Sequence, residues 1–201
     1  MALVCPAPLD PGMRDAQLGL EAEASRLYSA FVYDSDAQSR TVQAALFDAG
    51  AGEGAARFVV SVVDEDTLAG MFCGLTGAEL AGARMRATMV LRRMGLLQPD
   101  SPLPGRIKAA AGALWKIEPE DLYLARIAVA PAFRGRGVAD ALMGELLRRA
   151  DAEGRRVLLE VAPDNAAARH LYTRHGFGMA EARAVEHHGR KLEMLLAERR
   201  Q

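Results

Sequence analysis

The stretch with the clearest chemistry is a glycine-rich turn between a strand and a helix, LYLARIAVAPAFRGRGVADA at residues 122–141. Gly135 and Gly137 let the backbone turn tightly, so that successive N–H groups converge at the start of the helix. Converging amides and the helix dipole attract an anion without any lysine side chain. The turn is therefore a candidate cradle for a diphosphate, although a glycine turn that merely joins two elements has the same pattern.

A dinucleotide-binding βαβ unit is a sharper alternative for this turn. Gly135 and Gly137 follow a strand, and Glu160 ends the next strand about where a ribose-binding acid is expected. Two features argue against it. Asp140 occupies the third glycine position, and five residues separate Val129 from Gly135, where a dinucleotide turn is tight.

The turn resembles the coenzyme A motif of the GNAT superfamily of N-acetyltransferases, in which Arg or Gln is followed by two residues, Gly, one residue, and Gly or Ala. Arg134, Gly137 and Ala139 meet that pattern. Residues 160–177, EVAPDNAAARHLYTRHGF, resemble the second motif of the family, most closely its form in bacterial ribosomal-protein N-terminal acetyltransferases. Two motifs in the right order are far more specific than one.

The resemblance implies that acetyl-coenzyme A (acetyl-CoA) is the cosubstrate. In such proteins the strand before the cradle separates from its neighbour at a bulge, and the pantetheine arm pairs with the exposed backbone. The pyrophosphate would lie on residues 135–140, and Asn165 would contact the pantetheine arm. The cofactor-binding residues implied in this way are Ile127, Ala128, Val129, Arg134, Gly135, Arg136, Gly137, Val138, Ala139, Asp140, Asn165 and Tyr172.

Asp140 departs from what a diphosphate site favours. An acidic residue is compatible with the start of a helix, but a carboxylate beside a diphosphate should weaken anion binding compared with Ser or Lys. We therefore expect Asp140→Ser to tighten the binding of acetyl-CoA.

Direct attack of an amine on a thioester in a ternary complex needs a base, a donor for the oxyanion and a proton for the leaving thiolate. Tyr172 lies one turn after Ala168 on a helix expected to face the cofactor, and it is the candidate acid. The alternative is that Tyr172 is a core aromatic residue whose hydroxyl reaches solvent. Glu160 stands in an apolar strand, where an unpaired carboxylate is costly, and is the candidate base; the alternative is a pairing with an Arg or a backbone amide. The backbone N–H of Val129 would donate a hydrogen bond to the oxyanion.

Other candidates are weaker. Alternative bases in a stretch typical of a solvated turn are Glu118, Glu120 and Asp121. Apolar residues that could line an acceptor pocket, although their spacing is more typical of packing, are Trp115, Met85, Met89 and Met94.

The surrounding elements predict an α+β fold with a mixed sheet and helices packed on it, and the resemblance implies a mostly antiparallel, twisted sheet with helices on both faces and a separated central strand pair. Strand patterns cover residues 3–5, 58–63, 68–75, 122–129, 157–161, 177–185 and 192–196. Helical patterns cover residues 13–33, 41–47, 78–94, 106–116, 138–150 and 165–175. We predict one domain over residues 1–201, with a cofactor region at 121–178 and a helical insertion at about 78–116.

Composition limits the partners. Half of the 201 residues are hydrophobic and a quarter are charged, which is typical of a globular protein. A formal net charge of -1 without a basic block argues against nucleic acid, and charges that interrupt every apolar run argue against a membrane span. The cysteines and histidines lack metal-ligand spacing and the opening residues lack a signal-peptide pattern, so we expect no metal and a cytoplasmic location.

The acceptor amine stays open. The pattern from Glu160 to Tyr172 suggests protein N-termini, whereas a lid formed by residues 78–116 would favour a small amine. The same helices could instead form the face of a homodimer. If the acceptor groove is closed, a non-enzymatic acyl-CoA sensor or scaffold is the alternative.

Overall fold

The computed structural model describes residues 7–199. Within that part of the chain, seven strands form a sheet in the order β1-β2-β3-β4-β5-β7-β6. The strands are β1 Ala7–Pro8, β2 Val59–Asp64, β3 Thr67–Thr76, β4 Leu122–Val129, β5 Val157–Val161, β6 Gly178–His187 and β7 Arg190–Arg199. The pair β4 and β5 is parallel, and the other neighbours are antiparallel. The mixed, mostly antiparallel sheet is therefore as predicted.

Helices cover both faces of this sheet. They are α1 Arg14–Ala24, α2 Arg26–Val32, α3 Asp36–Asp48, α4 Gly77–Arg93, α5 Leu103–Gly112, α6 Val138–Ala152 and α7 Ala166–Arg174. The first five pack on one face, whereas α6 and α7 pack on the other. The predicted α+β class is confirmed. Among the helices of residues 7–199, none combines the length and the apolar composition needed to cross a membrane.

Helix α6 lies very close to the sheet. Its buried stripe of Val138, Leu142 and Leu146 recurs every fourth residue, as expected for one face of a helix. A Cβ atom on Gly70 of β3 would be 2.9 Å from both the carbonyl oxygen of Ala128 and Cγ1 of Val138. Glycine at position 70 thus allows the first turn of α6 to sit directly on the strands.

The central strands β4 and β5 separate after a short parallel contact. They pair at three positions, from Leu122 opposite Val157 to Leu124 opposite Leu159. Beyond that point β4 continues to pair with β3, and β5 with β7. Ala125 is the extra residue of a bulge between β3 and β4. The strands therefore separate next to a bulge, as the resemblance implied, and leave a gap through the sheet.

Most predicted elements are present, but two helices differ from expectation. The single helix predicted over residues 13–33 is divided at Ser25, whose hydroxyl and backbone N–H both donate to the carbonyl of Glu21, at 2.7 and 2.9 Å, an arrangement that often bends helices. The helix predicted over residues 106–116 ends at Gly112, which leaves Trp115 in the connection to β4. The strand predicted over residues 3–5 lies outside the described residues.

Candidate active site

The predicted diphosphate cradle lies where β4 ends and α6 begins. A short 3-10 turn over Pro131–Phe133 leads out of β4, and Gly135 and Gly137 then take left-handed conformations with φ of 73° and 82°. Gly137 is also the N-cap residue of α6, and no side chain caps this end. Because the first N–H groups of a helix have no partner within it, those of residues 138–140 are available to an anion. The turn has the geometry of an anion site.

The side chains of both arginines in the turn contact other residues of the protein. Arg134 donates from Nε to the carbonyl of Val129 at 3.1 Å and forms an ion pair with Glu23 of α1. The guanidinium of Arg136 lies 5.5 Å from the centre of the Phe133 ring. Because the Arg134 side chain is engaged in this way, a diphosphate would depend mainly on the backbone N–H groups of the turn.

Asp140 is bound to the end of α7. Its carboxylate accepts hydrogen bonds from Nη2 of Arg174 at 2.6 Å and from Nε2 of His175 at 2.9 Å. The bond to His175 and the charges of both partners lower the pKa of Asp140. The Arg174 guanidinium and the hydrogen bond to His175 offset the negative charge beside the cradle. Sequence reasoning missed them because they lie 34 and 35 positions along the chain.

The end of β4 presents backbone groups to the gap. The N–H of Ala130 donates to the carbonyl of Ala69 at 2.9 Å, which makes Ala128 and Ala130 the positions bonded to β3. Successive N–H groups of a strand point to opposite sides, so those of Ile127 and Val129 point into the gap. The geometry is compatible with the roles predicted for Ile127 and Val129. The backbone of Ala128 turns away toward β3, so its predicted pairing with pantetheine is not available.

Asn165 begins α7. Its Oδ1 accepts a hydrogen bond from the N–H of Ala168 at 3.1 Å, which makes it the N-cap of that helix. The residue is exposed. The side-chain NH₂ group and the second acceptor site of Oδ1 remain for the predicted pantetheine contact.

Tyr172 of α7 is buried against the same face as α6. Its ring lies 5.8 Å from that of Phe177, and 6% of the residue is exposed. Among residues 7–199, no group forms a hydrogen bond with its hydroxyl. Burial raises the pKa of Tyr172. The phenol therefore stays protonated at neutral pH.

Glu160 of β5 has both carboxylate oxygens engaged. Oε1 accepts from the N–H of Trp115 at 3.2 Å, and Oε2 accepts from the hydroxyl of Tyr123 at 2.5 Å. Burial raises the pKa of Glu160, and the hydrogen bonds from Tyr123 and Trp115 partly offset that rise. The bond to a backbone amide that we considered as the non-catalytic alternative is therefore present. Each oxygen retains a second acceptor site.

The two candidate catalytic residues flank the gap from opposite faces of the sheet. Tyr172 packs in the cluster that contains Leu159 and Val161. Glu160 lies between these two residues in β5, so its side chain points to the other face, where it meets Tyr123. Tyr172 and Glu160 therefore lie on opposite faces of the sheet, and Glu160 follows the last β5 residue paired with β4.

Comparison with known proteins decides the family. A model described as the acetyltransferase (GNAT) family matches residues 22–177, more than three quarters of the chain. The chain belongs to the GNAT family. It is an acetyltransferase, and enzymes of this family use acetyl-CoA. The dinucleotide-binding interpretation of the glycine turn is therefore set aside.

Solved structures share the GNAT fold at low sequence identity. An N-acetyltransferase from Staphylococcus aureus Mu50 is 16% identical with a TM-score of 0.68, covering 96% of this chain and 100% of that one. The ribosomal-protein-S18-alanine N-acetyltransferase from Escherichia coli is 19% identical with a TM-score of 0.53, covering 96% and 90%. The protein yncA from Salmonella typhimurium, solved with its cofactor acetyl-CoA, is 14% identical with a TM-score of 0.55, covering 97% and 92%. At these identities the likeness shows the fold alone.

On the face of the GNAT sheet that carries Glu160, a cluster of charged and phenolic side chains lies beneath the helices. Glu53 accepts a hydrogen bond from Nε of Arg84 at 3.0 Å and pairs with Nη1 of Arg126 at 3.7 Å. Burial, together with the charge of Glu53, raises the pKa of Tyr28 and Tyr33. Sequence reasoning missed this cluster, because its members come from elements far apart in the chain.

The connection between α5 and β4 lies across this face of the enzyme. Its residue Trp115 donates its N–H to Glu160, and the ring lies 4.5 Å from the guanidinium of Arg183 of β6. Arg183 also donates to the carbonyl of Leu114 at 3.1 Å. The connection is thus bound to β5 on one side and to β6 on the other. It restricts the space above Glu160.

Helix α2, which carries Tyr28, is bound to the last strand. Nη1 of Arg190 donates to the carbonyls of Ala30, Phe31 and Tyr33 at 3.0, 3.2 and 2.6 Å. These are carbonyls at the helix end, which lack partners within the helix. A single guanidinium therefore caps α2 and ties it to β7.

The weaker candidate residues other than Trp115 lie elsewhere in the enzyme. Asp121 binds Nη2 of Arg156 at 2.6 Å at the start of β4, about 23 Å along the strand from the cradle. Met85 and Met89 are 60% and 56% exposed, whereas Met94 packs against a core cluster. Within residues 7–199, no three His, Cys, Asp or Glu side chains are grouped to hold a metal ion.

Proposed function

We propose that this enzyme transfers the acetyl group of acetyl-CoA to a primary amine by direct attack within a ternary complex. The observation that carries the proposal is the gap between β4 and β5, with Tyr172 on one face of the sheet and Glu160 on the other. A cofactor held on the α6 face and an amine held on the opposite face can meet through such a gap.

The residues of the cradle fit coenzyme A. The N–H groups of residues 135–140 would hold its diphosphate, and the gap-facing groups of Ile127 and Val129 would hold the pantetheine arm. Acetyl-CoA supplies a thioester carbonyl for attack by an amine. The N–H of Val129 would then donate to the oxyanion that develops there.

Glu160 is the proposed base. At pH 7, removing a proton from a lysine-type amine of pKa ~10.4 costs about 4–5 kcal/mol, but an α-amine near pKa 8 costs only about 1 kcal/mol. A base works best when its pKa lies near the working pH, and burial moves the pKa of Glu160 upward in that direction. We expect Glu160 to matter most for lysine-like acceptors.

Tyr172 is the proposed acid. Its hydroxyl is protonated and carries no hydrogen bond from residues 7–199, so its proton is available to a leaving sulfur. The raised pKa makes the phenol a weak acid, and its main contribution is therefore hydrogen-bond donation as the thiolate leaves. The effect of such a donor is smaller than that of a fully matched general acid.

A small amine is the acceptor class favoured by the connection that covers Glu160. Trp115 and Leu114 are held against β5 and β6, where an extended peptide would otherwise enter. A protein N-terminus is the second class, supported by the motif that runs from Glu160 to Tyr172.

The test is an acetyl-transfer screen over polyamines, amino acids and peptides with free N-termini, with thiol release as the readout. We expect thiol release that depends on one of these amine classes, and calorimetric binding of coenzyme A in its absence. Binding without turnover of any amine would contradict the catalytic proposal and support a sensor. Failure to bind coenzyme A at millimolar concentration would overturn both.

A further inference from the structure

Tyr123 is the closest neighbour of Glu160 that the proposed mechanism does not use. It lies on β4 opposite Leu158, one residue pair before the strands separate, and 6% of it is exposed. Glu160 follows two positions after Leu158 on the same face, within reach of the phenol. The hydroxyl donates to Oε2 at 2.5 Å.

Four groups from different elements act on the Glu160 carboxylate. The hydroxyl of Tyr123 from β4 and the N–H of Trp115 from the α5–β4 connection bond to it. Glu53, from the loop after α3, and Arg84, from α4, act through their charges. Tyr123, Trp115 and Arg84 favour the ionised carboxylate, whereas Glu53 and burial disfavour it. Of these, Tyr123 and Trp115 touch it directly.

We infer that Tyr123 is a positioning residue for acetyl transfer, whose hydroxyl holds Oε2 of Glu160 so that the carboxylate stays ionised and oriented toward the gap. The inference rests on the proposed role of Glu160 as base. Each oxygen keeps one acceptor site after its bond to Tyr123 or Trp115, which leaves room for the amine proton or a bridging water. The phenol does not itself take up that proton, because its own oxygen is protonated and its pKa is raised well above the usual value by burial.

Tyr123→Phe removes the hydroxyl and keeps the ring. Loss of one hydrogen bond to the charged carboxylate should lower kcat about tenfold near neutral pH. It should leave KM nearly unchanged, because Tyr123 does not touch the amine. The acid limb of the kcat/KM profile should move to higher pH, since the buried carboxylate loses a donor that favours its charged form.

The matched control is Tyr33→Phe. Tyr33 lies on the same face of the sheet, and its hydroxyl makes no hydrogen bond to Glu160. We expect the acid limb of Tyr33→Phe to keep the position seen in the parent enzyme. Replacing Tyr123 by fluorotyrosine provides a change of opposite sign, because a more acidic phenol is a stronger donor and should move the acid limb to lower pH.

A second readout does not depend on turnover. The carbon-13 chemical shift of the Glu160 carboxyl, assigned by comparison with Glu160→Gln, reports its titration directly. The pH midpoint of this titration should be higher in Tyr123→Phe, while the affinity for coenzyme A stays unchanged. A uniform loss of rate with no movement of either titration would overturn the inference. An inactive parent enzyme whose Glu160 titration still moves would reject the proposed function while supporting the contact.

Discussion

The two faces of the sheet differ in how their functional groups are assembled. On the α6 face, the cradle is a continuous run of chain from Val129 to Asp140, and its donors are backbone N–H groups. On the opposite face, the groups around Glu160 come from separate elements, and they act through side chains. This enzyme thus has one candidate site made by local backbone geometry and another whose groups come together only after the whole sheet has formed.

The charges of the two faces differ as well. Around the cradle, Arg174 offsets the charge of Asp140, His175 shares a hydrogen bond with it, and the remaining attraction for an anion comes from helix N–H groups. Around Glu160, the carboxylate of Glu53 is balanced by Arg84 and Arg126. The first arrangement suits a shared anionic cofactor. The second is built from side chains of separate elements, and it is where we expect acceptor specificity to be decided.

The largest expected effect comes from replacing the proposed catalytic residue on each face of the sheet. Glu160→Gln should lower kcat/KM for a lysine-like amine by about 10²–10⁴-fold near neutral pH. Activity of the parent enzyme should fall as the pH drops through the raised pKa of Glu160, because the protonated carboxyl cannot accept a proton. The measurement is a kcat/KM profile against pH.

Tyr172→Phe is the matched change on the cofactor face, and it should slow turnover less while leaving the acid limb in place. If Glu160→Gln left the rate unaltered at every pH while Tyr172→Phe slowed it, a water chain rather than Glu160 would be the base.

The next largest expected effect is on the affinity of the cradle for coenzyme A. Gly137→Ala places a Cβ at a position with φ of 82°, which costs about 1–2 kcal/mol and should weaken coenzyme A binding about tenfold. Gly144→Ala is the control in the same helix, since a Cβ there meets nothing within 4 Å. Calorimetry of both variants measures the difference. Equal affinities would mean that the turn does not hold the cofactor.

Sequence predicts these two faces to very different extents. The bounds of β4 and β5 were predicted residue for residue, because both are apolar runs interrupted by a single charged residue, Arg126 in β4 and Glu160 in β5. Glu53 stands in a glycine-rich stretch that indicates only a helix end, and its contact with Arg84 is 31 positions away. Backbone geometry is encoded locally, whereas a bond between distant side chains has no local signal.

A smaller effect concerns the charge beside the cradle. Asp140→Ser removes a carboxylate and releases Arg174 and His175, so coenzyme A should bind about two- to threefold more tightly, as expected for one solvent-screened charge near the diphosphate. Arg174→Gln should change affinity in the opposite direction. Calorimetry at two salt concentrations measures both, and an unchanged affinity for Asp140→Ser would place its charge outside the field of the diphosphate.

The smallest expected effect concerns the exposed side of α4, on the face of the sheet that carries Glu160. Met85 and Met89 are exposed on α4, so replacing both by Ser should change the free energy of unfolding by no more than about 0.5 kcal/mol each. Denaturant melts measure that value, and light scattering measures the assembly state. A dimer in the parent protein that dissociates in the double variant would instead make these methionines part of a subunit interface.

The cap that Arg190 places on α2 has a consequence for biosynthesis. The carbonyl of Tyr33 enters the growing chain 157 residues before the guanidinium that satisfies it. Strand β5, which carries Glu160, likewise pairs with the late strand β7. The face of the sheet that carries Glu160 therefore cannot form completely until β7 has been synthesised, whereas the turn at Gly137 depends only on neighbouring residues. Contacts of this range also slow folding, because a long loop must close before they form.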